Sequence, residues 1–453
     1  MLKKIKILSI VTIMAMALNA NDMDSQQAEI TANEVELQNS LSDASAQDIT
    51  PQSIEDFFDE FKNEQNIEYG QTKDGKTFYS AKAITSVSAN DADFAKSLVN
   101  AYNKAFLDIQ ANYIRDSFGR QSTETLRKNF TDNSTNAKEF EKLPPESIFS
   151  QLLTKISELA GAKLDDMLSQ LGVDIEKGLS TERKKVLLAE SLVKNMKTTA
   201  MGEISGLVPI QTAVTKDGST YDIGVIAIMS EKTVQIARDM KFKRKSIIKG
   251  NGKKISEFLP TTKEGFLDEF GIRLVYDENG SPVILSYGRW GYVKNSSDEY
   301  INKRQKDIAQ ETASQNADSA IGEFISLSLS FQENKKIGEE IEHAVTQLIT
   351  TGNVQESEKV SKSIIDQVSS EIRSNSSINL KGIRTLKRWS AVDKNGIEHV
   401  GVVRFYSYAN VENTNDIIGI QSGKKSSQTT KQEVKKSQDV SSKSKMVNDL
   451  DDF

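Results

Sequence analysis

Apolar residues recur at every third or fourth position along two stretches of the chain, and this spacing predicts two long amphipathic helices. Each helix is preceded and followed by paired apolar runs of strand length, in the same order. The order of elements therefore predicts two copies of one unit. The stripes are Phe94, Leu98, Ala101, Ala105, Ile109 and Tyr113 in the first helix, and Ala309, Ala313, Ala317, Ile321 and Phe324 or Ile325 in the second.

The first strand pair of each copy follows a shared motif. Residues 57–61 read FFDEF, and residues 266–270 read FLDEF. Turn dipeptides then follow, Asp74-Gly75 in the first copy and Asn279-Gly280 in the second. Such dipeptides supply the positive φ values of type I′ turns, so both sites predict antiparallel hairpins.

The second strand pair gives the clearest match between the copies, because residues 206–230 and residues 382–407 share their glycines and apolar runs. The two segments are 176 positions apart at their first glycine, 178 at their turn glycine and 177 at their last glycine. A drift this small is what loop insertions produce, and it indicates an internal duplication.

These patterns predict an α+β fold of two duplicated units, each an antiparallel sheet covered on one face by a long helix and a helical insert. The insert of copy one spans residues 119–200, and that of copy two spans residues 337–372. We expect these divisions: signal peptide 1–20, disordered segment 21–50, repeat unit one 51–240, basic linker 241–260, repeat unit two 261–420 and disordered tail 421–453.

The N-terminus has the pattern of a secretory signal. Lys3, Lys4 and Lys6 precede an apolar run over residues 7–18, and Ala20 offers a small residue for cleavage. We expect export to the periplasm of a Gram-negative bacterium, with the cell surface or secretion as alternatives, and no transmembrane anchor after cleavage. The chain has no cysteine, which excludes the lipid anchor of a lipoprotein and any disulfide.

The net charge of the protein and the distribution of its basic residues bear on which partners it binds. The formal charge is −6, and loss of the three lysines of the signal would make it −9, so nucleic acid is not an expected partner. One dense basic segment stands at the boundary between the copies. It is a candidate contact for an anionic partner, with a solvated linker as the alternative. Its basic residues are Lys241, Lys243, Arg244, Lys245, Lys249, Lys253 and Lys254.

Candidate catalytic groups are few. His343 falls in a predicted helix and His399 follows a turn, and neither has the partner spacing of a zinc site, so both are interpreted as surface or boundary residues. The carboxylates Glu55, Asp56, Asp59 and Glu60, echoed by Asp268 and Glu269, are interpreted as a solvated helix face. No nucleophile, metal site or cofactor motif is assembled, and we expect a protein without enzymatic activity, cofactor or metal.

The alanine stripes and the strand pairs that follow two glycines resemble small envelope domains. Such domains occur in bacterial outer-membrane lipoproteins and flagellar outer-ring assembly proteins, and the chain is also similar to uncharacterised exported proteins of a domain-of-unknown-function family. The resemblance implies a structural or assembly role in the cell envelope and carries no catalytic residues. It rests on Ala101, Ala105, Ala309, Ala313, Ala317, Gly206 and Gly382.

The leading hypothesis is therefore a structural or adaptor protein of the envelope with an envelope protein as its unidentified partner. The alternative is a periplasmic binding protein with a ligand cleft between the two repeats, near Trp290 or Trp389. The pattern leaves the oligomeric state open.

Overall fold

Two antiparallel sheets with the same strand order organise the chain, as a computed structural model shows for residues 53–130, 143–175, 178–294, 297–325, 335–352, 354–371, 382–409 and 442–444. The first sheet has the order β1 (Thr72–Lys73), β2 (Lys76–Ile84), β4 (Thr220–Ser230), β3 (Val208–Asp217) and β9 (Ser442–Lys443). The second has the order β5 (Gly271–Tyr276), β6 (Pro282–Gly291), β8 (Glu398–Ser407) and β7 (Arg384–Val392). In both sheets, the second strand of the first hairpin pairs with the second strand of the last hairpin. The α+β class and the duplication are confirmed at the level of topology.

The element bounds show how closely the repeats correspond. The first repeat comprises α1 (Ile54–Gln65), β1 (Thr72–Lys73), β2 (Lys76–Ile84), α2 (Phe94–Phe130), α3 (Pro145–Glu158), α4 (Gly161–Gln170), α5 (Thr181–Glu203), β3 (Val208–Asp217), β4 (Thr220–Ser230) and α6 (Glu231–Lys241). The second comprises β5 (Gly271–Tyr276), β6 (Pro282–Gly291), α7 (Glu299–Ile325), α8 (Lys335–Thr351), α9 (Val354–Glu371), β7 (Arg384–Val392) and β8 (Glu398–Ser407), and β9 (Ser442–Lys443) follows.

A β-bulge marks the same place in both repeats. The register of β3 shifts between Pro209 and Gln211, and that of β7 shifts between Thr385 and Lys387. These positions are 176 residues apart, the same separation as at the first glycine of each strand pair. A bulge is a specific local feature of a strand, so its recurrence at this separation supports a common origin for the two repeats.

The predicted stripes of the two long helices are buried, from Phe94 to Tyr113 in α2 and from Ala309 to Ile325 in α7. The close approach of α7 to its sheet explains the alanines, since a Cβ atom added at Gly288 would lie 1.9 Å from the Ala313 carbonyl oxygen. Small residues on both elements let the helix backbone lie directly on the strand.

The helical inserts of the two repeats pack against each other. Phe149 and Leu152 of α3 lie in one apolar cluster with Ile341 of α8 and Ile364 of α9. A second cluster contains residues of both sheets, including Phe78 and Tyr406. The two repeats therefore share their interior, because side chains from both repeats bury one another.

Two local predictions need correction. In the second repeat only Phe266 and Leu267 of the FLDEF motif lie in a 3-10 turn, Glu264–Leu267, and β5 begins at Gly271, directly after the motif. The first copy forms the capped helix α1 instead. Asn279 does not adopt positive φ, unlike Asp74, so the Asn279-Gly280 turn is not type I′. The Asp277 carboxylate holds this turn by accepting the backbone N–H groups of Asn279 and Ser281.

The predicted signal peptide and the segment 21–50 lie outside the described residues. Within the predicted disordered tail, Ser442–Lys443 pairs with the edge of β3, so the expectation of disorder does not hold there. The other predicted boundaries stay predictions, since all described residues belong to one compact unit, Ile49–Phe453. None of the helices within the described ranges combines the length and apolar character needed to cross a bilayer.

Candidate functional site

A cavity of about 290 Å³ lies between the two repeats, and we call it the inter-repeat cavity. Its volume is close to the lower end of small-molecule sites, roughly 300 Å³. Strands β5 and β6 and the turn before β3 complete its walls. The helix α2 contributes Val99, Tyr102, Asn103, Phe106, Leu107 and Gln110. The helix α7 contributes Asn316, Ser319, Ala320, Glu323 and Phe324.

Each of the two helices in the cavity wall, α2 and α7, packs on its sheet with one face and lines the cavity with a second. In α2 the cavity residues are three or four positions apart and stand beside the stripe that packs on the first sheet. The spacing in α7 is the same. Because α2 belongs to the first repeat and α7 to the second, the cavity exists only where the two repeats meet.

A stack of three aromatic rings forms part of the wall. The Tyr102 ring lies nearly parallel to the Phe106 ring at a centroid distance of 6.3 Å, and nearly parallel to the Phe270 ring at 5.3 Å. Phe270 comes from the second repeat, so the stack crosses the boundary between repeats. The three residues line the cavity and make this part of its wall apolar and aromatic.

Polar groups lie among the apolar ones. Asn103 is exposed at the cavity, and Ser319 and Glu323 are half-buried. Gln110 is only 2% exposed, and its side-chain oxygen has no hydrogen-bond partner within the described part of the chain. Burial raises the pKa of Tyr102 above its ordinary value, opposed by Arg273 and reinforced by Glu323, so its phenol is neutral at pH 7.

Arg289, which also lines the cavity, is held by a network of buried polar groups. Its guanidinium donates to the Leu267 carbonyl and lies 4.4 Å from the Phe270 ring centroid. It also lies 2.8 Å from Nδ1 of His399, whose Nε2 is 3.0 Å from Oδ2 of Asp393. Arginine can only donate, so Nδ1 accepts and the proton of the neutral imidazole is on Nε2.

The electrostatic environment of Arg289 and His399 agrees with that tautomer. Burial, together with the Arg289 charge, lowers the pKa of His399 to about 4. Burial lowers the pKa of Arg289 to about 10, so the guanidinium stays charged at pH 7. The interpretation of His399 as a surface or boundary residue is wrong, because strand pairing of β6 with β8 places it inside, at 1% exposure.

A buried ion pair lies at the start of β5. Arg273 and Glu269 approach to 3.0 Å, without the geometry of a hydrogen bond, and Arg273 also donates to the carbonyls of Phe270 and Ile272. Burial raises the pKa of Glu269, opposed by the Arg273 charge. The prediction of a solvated carboxylate is wrong for Glu269, because β5 begins immediately after its motif and draws it inward.

The other predicted residues lie apart from the cavity. Glu55, Asp56 and Asp59 are exposed on α1, as predicted, while Glu60 and Asp268 are half-buried. His343 is exposed on α8. The seven basic residues from Lys241 to Lys254 are exposed between α6 and the β5–β6 hairpin.

Neither tryptophan lines the cavity. Trp389 is buried and stacked on Phe266 at a centroid distance of 5.6 Å, and Trp290 packs against Ala309 and Ala313. The inter-repeat cavity therefore lies apart from both tryptophans, and a cleft near them stays a prediction. The spacing of Val99, Tyr102 and Phe106 was the sequence signal that could have indicated the second buried face of α2.

Comparisons with known proteins give similarity without an activity. A family described as Domain of unknown function (DUF6844) matches residues 149–242, from α3 to the residue after α6. No curated protein matches the sequence. The crystal structure of the hypothetical protein FTT1539c from Francisella tularensis is 21% identical, with 84% of this chain and 99% of that chain covered and a TM-score of 0.44. The chain is thus similar, over residues 149–242, to a domain whose function is unknown.

Proposed function

We propose that this is a non-enzymatic binding protein that holds a small, largely apolar molecule in the inter-repeat cavity. The observation that carries the proposal is the stack of Phe106, Tyr102 and Phe270 along the wall of a cavity that both repeats are needed to form. Concave sites with apolar walls and a few polar groups are the usual form of small-molecule sites.

The lining indicates the chemistry of the ligand. A planar apolar body would lie against the aromatic wall, and hydrogen-bonding groups would meet Asn103, Ser319 and Glu323. The half-buried Glu323 carboxylate and the Arg289 guanidinium both line the cavity, so the lining carries charges of both signs and favours a ligand without net charge. We therefore propose a neutral planar compound that carries arylamine, amide or hydroxyl groups.

The experiment uses N-phenyl-1-naphthylamine, a neutral fluorophore with two flat aromatic ring systems and one N–H group. We expect saturable binding to one site per chain, measured as fluorescence enhancement. Ser319→Trp fills the cavity from α7 and should abolish this binding. Gln315→Trp adds the same bulk at an exposed position of the same helix and should leave binding unchanged.

The proposal fails if wild-type protein gives no saturable binding, or if Ser319→Trp binds the fluorophore as well as Gln315→Trp does. Thermal unfolding of all three proteins shows whether each variant is folded. A variant that fails to fold is replaced by Ala320→Phe, a smaller filling of the same wall.

An adaptor role in the envelope is the second candidate. β7 is an edge strand, and its outer side pairs with no other strand among the described residues. An extended segment of an envelope protein could add to this edge by backbone hydrogen bonds. A photocrosslinker at Arg388, exposed on β7, should capture one discrete envelope protein, and a crosslinker at the exposed Lys104 of α2 should not.

We also propose that the protein acts in the periplasm of a Gram-negative bacterium, on the basis of the signal-like pattern of residues 1–20. Release of the protein by osmotic shock, with Asn21 as the first residue of the released chain, is the expected result. A chain that stays in the cytoplasm with residues 1–20 attached would contradict this localisation.

A further inference from the structure

The segment 241–254 exposes large apolar side chains among its cations. Ile247 is 86% exposed and Phe242 is 64% exposed, although most large apolar residues of the described chain are buried. The segment contains seven lysines and arginines and no acidic residue. Among the described residues, an ion pair is formed by only one of the seven, Arg244, with Asp239.

The backbone of this segment is fixed at its start. The chain leaves α6 through Lys243 in the left-handed region, at φ 52°, and the N–H groups of Lys243 and Arg244 donate to the carbonyls of Met240 and Asp239. The Arg244 guanidinium lies 5.7 Å from the centroid of the Phe242 ring. Phe242 therefore stands at a defined turn after the helix.

The other end of the segment is clamped to the β5–β6 hairpin. The N–H groups of Gly250 and Lys253 donate to the carbonyls of Gly280 and Tyr276. A Cβ atom at Gly252 would lie 1.8 Å from the Asp277 carbonyl oxygen, so glycine is required for this close approach. The glycines thus serve packing against the hairpin, and the segment does not behave as a flexible linker.

The outward direction of Ile247 follows from its neighbours. Ser246 is buried and its hydroxyl accepts the N–H of Ile248, which packs partly against the interior. Both flanking residues are turned inward, and Ile247 is left in solvent. Ile247 is the second large apolar side chain, after Phe242, that this basic segment holds in solvent, and exposed apolar side chains rimmed by charged ones are typical of interaction surfaces.

We propose that the segment 241–254 binds the surface of an anionic lipid bilayer, with Ile247 and Phe242 entering the interface and the surrounding cations contacting lipid phosphates. Peripheral membrane binding requires two elements, cationic side chains and exposed apolar residues, and the segment has both. Lys249 is already engaged with the Asn279 carbonyl and the Ser281 hydroxyl, so the free cations to either side of it would carry the headgroup contacts.

Three acidic residues next to the segment reduce its net positive charge. Asp239 is paired with Arg244, while Asp277 and Glu278 belong to the adjoining hairpin turn. The segment's charge of seven exceeds these three acids, so its net field attracts anions. The inference does not depend on the inter-repeat cavity.

The test is flotation of purified protein with vesicles. We expect binding to phosphatidylcholine vesicles that contain phosphatidylglycerol, and little binding to pure phosphatidylcholine vesicles. Ile247→Asp should weaken binding about tenfold, because it removes an inserting side chain and adds a negative charge. Tyr300→Asp makes a similar change at a residue 72% exposed outside the segment and should bind as wild type does.

Four results would overturn the proposal. Three are no binding to phosphatidylglycerol vesicles, equal binding by Ile247→Asp and wild type, and equal loss in Tyr300→Asp, and the fourth comes from a polymer. Poly-glutamate serves as an anionic polymer without lipid. If it binds the protein as tightly as the vesicles do, and equally in Ile247→Asp, the segment recognises acidic chains and the lipid proposal is wrong. Ile247 is so exposed that Ile247→Asp should unfold at the wild-type temperature, which melting curves check.

Discussion

The hydroxyl of Tyr102 occupies the space that a side chain on Gly271 would need, since a Cβ atom added to Gly271 would lie 1.9 Å from the hydroxyl oxygen. Tyr102 lies on α2 of the first repeat, and Gly271 begins β5 of the second. Gly271 also has φ +63°, a conformation that favours glycine. This contact joins the repeats beside the inter-repeat cavity.

Gly271→Ala should therefore destabilise the protein by roughly 3 kcal/mol, through the left-handed backbone and the clash with Tyr102 together. Gly396→Ala is the matched control, because Gly396 has φ +82° and nothing within 4 Å of an added Cβ. We expect the control to cost only about 1 kcal/mol. Urea unfolding measures both, and equal losses would show that the Tyr102 contact is unimportant.

His399 should make stability fall at acid pH. Its pKa is about 4 in the folded chain and 6.5 ordinarily, so between these values the unfolded chain binds more protons. The stabilising contribution is complete above pH 6.5 and is lost as pH falls towards 4, by on the order of 3 kcal/mol. Arg289, Asp393 and Asp268 are the charged groups that set this environment.

The measurement is the free energy of unfolding between pH 7 and pH 4. His399→Gln should lose most of this pH dependence, while His343→Gln, which changes the exposed histidine, should keep the wild-type slope. The chain has only these two histidines, and all three proteins share the same carboxylates. A His399→Gln slope equal to that of wild type would contradict a buried neutral imidazole.

The buried pair of Glu269 and Arg273 should behave unlike a surface pair. Arg273→Met leaves a buried carboxylate without its cation and should cost about 3–5 kcal/mol. The double variant, Arg273→Met with Glu269→Leu, also loses the hydrogen bonds to the carbonyls of Phe270 and Ile272. It leaves no unpaired charge in the interior. It should be at least about 2 kcal/mol more stable than the single variant.

A surface pair supplies the comparison for Arg273→Met. Lys96 and Asp93 are 2.6 Å apart and both substantially exposed. Lys96→Met should cost less than about 1 kcal/mol. If Arg273→Met proved equally mild in chemical denaturation, water would have to reach Glu269 and the pair would not be buried in solution.

Ser444 should slow amide hydrogen exchange at the edge of β3. Its hydroxyl accepts the N–H of Thr212 at 2.8 Å, and its own N–H donates to the Thr212 carbonyl at 2.7 Å. Ser444→Ala removes the first bond, worth about 1 kcal/mol, so the Thr212 amide should exchange about fivefold faster. Hydrogen–deuterium exchange of β3 peptides measures this, and β7 peptides, from the equivalent edge, should not change. Unchanged β3 exchange would mean that the tail strand is not bound in solution.

The sequence predicted features that depend on near neighbours. Ala309, Ala313 and Ala317 specify a helix face because their spacing matches the helical repeat, and Asp74-Gly75 specifies a tight turn because both residues tolerate positive φ. The FLDEF motif failed as a guide to structure. It differs from the motif of the first copy, FFDEF, at one residue only. However, β5 begins at Gly271, directly after the motif, so the chain has room for one 3-10 turn and not for a helix.

By itself, the sequence determined the duplication, the strand pairs and the long helices, because periodicity and turn residues act on the local backbone. Only the tertiary structure decided that the repeats share an interior, that a cavity lies between α2 and α7, and that His399 is neutral beside Arg289. Arg289 and His399 are 110 positions apart in the chain. Their environment follows from how whole faces of helices and sheets meet, and no local pattern of residues carries that information.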